Sequence, residues 1–487
     1  MAGTPGFVCA RPTELDPMRP EVISRLKANL HGRAILPEDH DYHEARRVYN
    51  GMIDKHPKMI VKCANTADVR LAVVFAREND LPVAVRGGGH NGAGLATCDD
   101  GMVIDLSQMK GVRFEPSSST IRAEPGCTQG DVNHLGQSFG VAVPAGVVGT
   151  TGIAGLTLGG GTGYLTRKYG LTIDNLLAVD MVLEDGSFVT ANAEERPDLF
   201  WAVRGGGGNF GIVTSFLYRA CPVRDVVGGP MFWDLSDARD VLEWHSQFMP
   251  TASEDLYGFF AFLKAQPGDP FPDHLHGKTL CGIIWCYAGP PEHADAAFKP
   301  IRTFRKPLLE VIAPMPYTAM QSLFDPLVPP GLQWYWKGHF VNRPSKEAID
   351  RHLEFGSQVP TLLSTMHLYP IDGAAARVGR NQTAFSFREA EYSMVICGID
   401  PDPANAELIT KWTRDYWAAI EPYSLGGAYV NFLMEDEGAG RVKATYRDNF
   451  ERLVEIKTKY DPDNFFARNQ NIQPRALGGK VSLRCTF

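Results

Sequence analysis

The 487-residue sequence contains no run approaching the roughly 18 uncharged apolar residues that a membrane-spanning helix requires, and no tract of consecutive basic residues. The first absence argues against a membrane partner. The second, with 48 Lys and Arg against 56 Asp and Glu and a net charge of −8, argues against a nucleic-acid partner. No Cys-x-x-Cys pair occurs, and the nine cysteines are odd in number and scattered, so neither a disulfide framework nor a zinc site is signalled. The first 30 residues lack an apolar stretch behind a basic start, and the expectation is a cytoplasmic protein. Histidines stand beside acids in EDHDYHE (38–44) and DHLHGK (273–278), but no third ligand follows at a metal-binding spacing. Both read as solvated surface, and no metal is expected.

What the chain has in excess is glycine, 49 residues, gathered into clusters between residues 86 and 211. Glycine is used where backbone must come close to something, because it lacks a Cβ and takes positive φ freely. A ligand is therefore expected in the N-terminal half. RGGGHNGAG (86–94) satisfies the dinucleotide pattern GxGxxG, as does Gly206-x-Gly208-x-x-Gly211, and a Rossmann site would require a helix directly after each. Neither is followed by a helical pattern. The first runs on to the strand-like GMVIDL, the second into the β-branched IVTSFLY.

Around these clusters, MIVKCA (59–64) and LPVAV (81–85) read as strands flanking a helix capped by Asn65, and AVDMVLEDGSFVTA reads as a hairpin. Beyond about residue 222 the clusters stop. Aromatic and apolar strands (LYGFFAFLK, LCGIIWCYAG, WYWKGHFV, MVICGID) alternate with helices such as DARDVLEWHSQFM, which indicates a separate antiparallel sheet with helices, facing a substrate. The tail holds an amphipathic helix ended by DPDN and then a short apolar segment, expected to pack back on the first domain.

Six segments in this order resemble the berberine bridge enzyme-like FAD-linked oxidases of the vanillyl-alcohol-oxidase type: VRGGGHN (85–91), PAGVVGTTGIAGLTLGGG (144–161), RKYGLTIDNL (167–176), DLFWAVRGGGGNFGIVT (198–214), GGAYVNF (426–432) and KYDPDNFFARNQNI (459–472). The resemblance implies an α+β fold. Residues 40–222 would form the FAD-binding domain, 223–425 an inserted antiparallel-sheet substrate domain covered by helices, and 426–475 a segment returning to the FAD domain. It also implies that His90 is bonded through a ring nitrogen to the 8α carbon of FAD. Many members carry a second link from a cysteine at the position held here by Val148, so a single bond is expected. Cys127, in PGCTQG, lies outside the motif and reads as a buried small residue. Thr151 matches the position beside which oxygen approaches, and its small size favours an oxidase over a dehydrogenase. The further cofactor contacts implied are Arg86, Gly87, Gly88, Gly89, Asn91, Gly92, Thr150, Gly152, Gly155, Gly160 and Gly211, with Ile212 and Val213 on the adenine side, and Asn431 and Asn469.

Oxidation of a C–H bond beside a hydroxyl or amine sends hydride to flavin N5 while a base takes the hydroxyl proton. By resemblance that base is Tyr429 of the Y-x-N motif completed by Asn431. Other members place a glutamate where this chain reads STMHLYPIDGAAARV (364–378), and His367 is the titratable side chain near that place, a second candidate base. Trp334, Trp336 and His339 are candidate pocket residues. The expected partners are a small organic substrate and O2. The rival readings are a flavin dehydrogenase with another acceptor and a flavin-binding protein that has lost catalysis.

Overall fold

The computed structural model describes residues 19–476. Three large β-sheets and a two-stranded ribbon (Val141–Ala142 with Cys221–Pro222) build the described residues. The first has strands β1 (Arg33–Ile35), β2 (Met59–Lys62), β3 (Val83–Arg86) and β4 (Met102–Asp105) in the order β1-β2-β4-β3. The pairs of β4 with β2 and β3 are parallel. Between β2 and β3 runs helix α1 (Thr66–Glu78), which starts at Asn65 because that side chain accepts hydrogen bonds from the Ala67 and Asp68 amides. After the glycines of RGGGHNGAG the chain turns and enters β4 without a helix, as the sequence indicates.

The second sheet is antiparallel, with strands β5 (Val112–Glu115), β6 (Thr120–Ala123), β7 (Leu176–Val182), β8 (Phe188–Asn192) and β9 (Ile212–Arg219) in the order β5-β6-β9-β7-β8. The β7–β8 pair is the expected hairpin, and β9 follows the second glycine cluster directly. Helix α2 (Ile153–Gly159) packs on this unit through Ile153, Ala154 and Leu158.

The third sheet has eight strands: β10 (Asp225–Asp234), β11 (Leu256–Lys264), β12 (Thr279–Tyr287), β13 (Leu309–Glu310), β14 (Ala313–Pro316), β15 (Gln333–Val341), β16 (Thr365–Pro370) and β17 (Tyr392–Asp400). Their order is β13-β10-β12-β11-β16-β17-β15, with β14 beside β10. Strand alternation gives this sheet two apolar faces. Leu256, Phe260 and Phe262 of β11 join one core with helices α3 (Ala238–Phe248), α4 (Lys346–Gly356) and α5 (Ala406–Ile420). Tyr257, Phe259 and Ala261 lie on the opposite face and pack with Tyr49, Tyr164 and Leu165. The two units are joined there.

A buried arginine strengthens that junction. Arg167 donates to the carbonyls of Met249, Ala252, Ser253 and Leu256 and to the Asp372 carboxylate. Helix α6 (Phe450–Tyr460) opens the tail. Buried Lys457 on it donates to the carbonyl of Asn209 (2.8 Å) and pairs with Asp461, while the Ile472 amide donates to Asn209 Oδ1 (2.9 Å). Phe466 and Ile472 thereby reach the cores of the first two sheets. Among the described residues, no helix is long and apolar enough to cross a membrane.

Candidate active site

One cavity of about 750 Å³ runs between the glycine loops, the inner face of the third sheet and the returning tail. Gly87, Gly88, Gly89, His90 and Asn91 line it from the loop after β3; Val148, Thr151, Gly152 and Gly155 from the segment around α2; and Gly211, Ile212 and Val213 from the start of β9. Tyr429, Asn431 and Asn469 close it from the tail side, and His367 reaches it from β16.

The glycines do different work. A Cβ on Gly88 would lie 2.6 Å from the Gly152 Cα, so the two loops meet backbone to backbone. Gly211 has φ +152° and faces the Val182 carbonyl, where a Cβ would come within 2.8 Å. Gly155, inside α2, has nothing within 4 Å of its Cβ position and opens on the cavity. Gly155→Ala is therefore expected to leave thermal stability unchanged or to raise it by up to about 1 kcal/mol, through better helix propensity, while lowering the flavin bound per protein. Gly88→Ala is expected to lose both. Thermal melts and visible absorbance of the purified variants read the two effects.

His90 stacks on Tyr49 with ring centroids 3.6 Å apart, and its Nε2 lies 3.5 Å from Thr150 Oγ1. The open part of the ring faces the enclosed cavity, and this desolvation pushes the imidazole down to about 4. At neutral pH the ring is uncharged and keeps a nucleophilic lone pair. Tyr49 is fixed in turn by donating to the Val328 carbonyl (2.7 Å).

Tyr429 accepts hydrogen bonds at Oη from the Gly161 amide and from Asn431 Nδ2, both at 2.8 Å. Burial drives the phenol up to about 12, and these two donors act against the rise by favouring the phenolate. The triple glycine 159–161 makes room for the motif: a Cβ on Gly159 would strike the Asn431 amide at 2.4 Å, and one on Gly160 would lie 3.2 Å from the Tyr429 ring.

His367 Nδ1 is 2.6 Å from Tyr369 Oη, two residues on and so on the same strand face. Burial holds the Tyr369 phenol well above its ordinary value and pushes the His367 ring down to about 3. The contact is made by Tyr369 donating to Nδ1 or by Nδ1–H donating to the phenol oxygen, according to the tautomer. His367 is therefore neutral at neutral pH, and with Nδ1 engaged by Tyr369 only Nε2 is left to meet a ligand in the cavity.

Four expected cofactor contacts lie off the cavity wall. Arg86 donates to the carbonyls of Ala45 (2.7 Å) and Arg47 (2.9 Å) and to Asp105 (3.1 Å), so it anchors the segment that carries Tyr49. Gly92 lets the Trp336 ring in, and Gly160 packs on Phe385 and Tyr429. Thr150 touches His90 but is otherwise exposed. Trp334 and Trp336 line the cavity, whereas His339, at the opposite strand parity, bonds the Trp417 carbonyl (3.0 Å) away from it. The sequence reading missed Tyr49, Gln129 and Tyr369, all on the wall. Strand parity with His367 could have found Tyr369. Tyr49 and Gln129 carry no local signal.

Comparisons with known proteins agree with this arrangement. The family model described as "FAD binding domain" matches residues 57–192, and that described as "Berberine and berberine like" matches 428–473. The chain is 30% identical over 457 residues to an FAD-linked oxidoreductase of Dictyostelium discoideum, covering 93% of this chain and 97% of that one. It is 26% identical over 473 residues to (R)-6-hydroxynicotine oxidase of Paenarthrobacter nicotinovorans, covering 92% and 97%. The solved structure of Physcomitrella patens BBE-like 1 superposes with a TM-score of 0.80 at 25% identity, over 91% of this chain and 97% of that one.

The residues present fit FAD. Gly155 and Gly208 leave open space where a Cβ would intrude on a ligand, and the cavity-lining side chains of Asn469 and Gln129 carry buried polar atoms without a protein partner: Oδ1 of the first, Oε1 and Nε2 of the second. Such orphaned atoms are the groups a polar cofactor satisfies.

Proposed function

The chain belongs to the berberine bridge enzyme-like FAD-linked oxidoreductases, and from that premise we propose that it is an oxidase holding FAD through one covalent bond to His90. The observation that carries this reading is the cavity around which His90, the glycine loops, the Tyr429–Asn431 pair and His367 all gather. The glycines of the three loops and Asn469 would hold the cofactor, with Ile212 and Val213 beside its adenine. Bound FAD supplies the two-electron acceptor. Tyr429 takes the substrate hydroxyl or amine proton, its phenolate stabilised by the Gly161 amide and Asn431. His367, fixed by Tyr369, donates from Nε2 to the heteroatom of the reacting carbon and orients it. The protein walls around His90 and Tyr429 keep bulk water from both groups. The net change is CH–OH plus O2 to C=O plus hydrogen peroxide, or the matching conversion of an amine to an imine.

The acceptor is tested by reducing the protein anaerobically and then admitting air. Reoxidation within seconds, with one hydrogen peroxide per flavin, is the expected outcome, consistent with the small side chain of Thr151. Persistent reduction in air, relieved by a quinone or dye, would make the protein a dehydrogenase.

A further inference from the structure

We infer that the substrate of this site is a largely apolar aromatic alcohol or amine and not a saccharide. This rests on the oxidoreductase reading above and narrows its substrate class.

The inference comes from the wall of the cavity away from the glycine loops. Strand alternation on β11, β12 and β17 turns Ala261, Leu263, Ile284, Val395, Cys397 and Ile399 to the lining, and none of these carries a charge or a strong hydrogen-bonding group. Beside them on β15, Trp334 and Trp336 meet edge to face with centroids 5.6 Å apart.

The polar groups that do reach this wall are mostly engaged. Thr365 Oγ1 donates to the Phe262 carbonyl (2.8 Å), Tyr369 is bonded to His367, and Gln266 donates to the Leu362 carbonyl. Lys264 and Asp269 also border the cavity, but they stand at the end of β11 and on the exposed loop after it. What remains free here is His367 Nε2 and the indole N–H groups of Trp334 and Trp336, a few polar points on an otherwise apolar wall.

A saccharide needs a partner for each hydroxyl it buries, and a hydroxyl taken from water without one costs affinity. An aryl carbinol or arylamine has one polar group and an apolar body, which is the complement of this wall. The mouth has the same character. Val311 (37% exposed), Leu327 (40%) and Leu362 (42%) all border the cavity and leave apolar surface open to solvent along it.

The test is equilibrium titration of the flavin-loaded protein with 1-(2-naphthyl)ethanol and, separately, with cellobiose and xylobiose. Binding is followed by calorimetry and by the change in the flavin's visible absorption. The naphthyl carbinol is expected to bind at least about 100-fold more tightly than either disaccharide, and Leu263→Ala to weaken it about tenfold by removing buried apolar contact. A disaccharide binding as tightly as the carbinol overturns the inference, and so does a carbinol that gives neither heat nor a spectral change. Failure of the underlying reading looks different: the carbinol binds with the expected preference, yet its electrons never reach the flavin.

Discussion

In a His90→Ala variant the flavin is expected to pass wholly into the supernatant when the protein is precipitated with acid, whereas the unaltered protein keeps its colour in the pellet. The glycine cradle is intact in the variant, so FAD still binds, and the difference reports the bond alone. Three observations make the loss complete rather than partial. Val148, on the cavity wall, has no atom able to form a second link. Cys127 is fully buried, its thiol sits 3.7 Å from the Gly111 carbonyl, and burial pushes it up to about 12, so it offers no thiolate. His90, by contrast, is uncharged at neutral pH. Colour already in the supernatant of the unaltered protein would remove the covalent part of the proposal and leave the oxidoreductase assignment standing on the family.

Tyr429→Phe is the second large effect. The substitution keeps the ring against Phe385 and Phe432 and removes only the oxygen that accepts from Gly161 and Asn431. The loss of a positioned base is worth about 10²- to 10⁴-fold in rate, and kcat/KM is expected to fall within that range while flavin content is retained. The pH profile separates chemistry from packing. Tyr429 has its folded pKa raised to about 12, so the active phenolate is the minor form throughout the neutral range, and its fraction grows as pH rises. In the unaltered protein kcat/KM is then expected to climb by about tenfold per pH unit from about pH 6 to about pH 9. In the phenylalanine variant the slope disappears. Because His367 is pushed down to about 3, it adds no step in that window. A variant that keeps the slope would move the base elsewhere.

Much of this site was legible because its parts carry strong local signals. Three glycines before His90 can hardly serve anything but close approach, and the β-branched residues after Gly211 exclude a nucleotide-binding helix. The alternation of WYWKGHFV places Trp334 and Trp336 on one face, and the same rule, applied strictly, puts His339 on the other. Other parts were not legible because they are made by contacts distant in sequence. Tyr49 comes from an unpatterned stretch, and it is brought over His90 by its amide donating to the Gly89 carbonyl (3.1 Å), its hydroxyl donating to Val328, and the Arg86 hydrogen bonds to Ala45 and Arg47. The motif places Arg86 among the cofactor contacts, whereas its guanidinium bonds the Ala45 and Arg47 carbonyls and Asp105. The sequence marks His367 as the titratable side chain near the right place. Its enclosure and its bond to Tyr369, which decide how it can act, are not encoded in a linear pattern.

The cavity is bordered by Tyr49 at one end of the chain order and Gln470 at the other, with Asn209 tied to both Lys457 and Ile472. During synthesis the loop that presents His90 leaves the ribosome hundreds of residues before the wall that encloses it. The nascent chain therefore has no closed pocket in which to load its cofactor. Closure of the pocket therefore depends on the tail being made and packed, and a chain lacking residues 429–470 is expected to lose bound flavin.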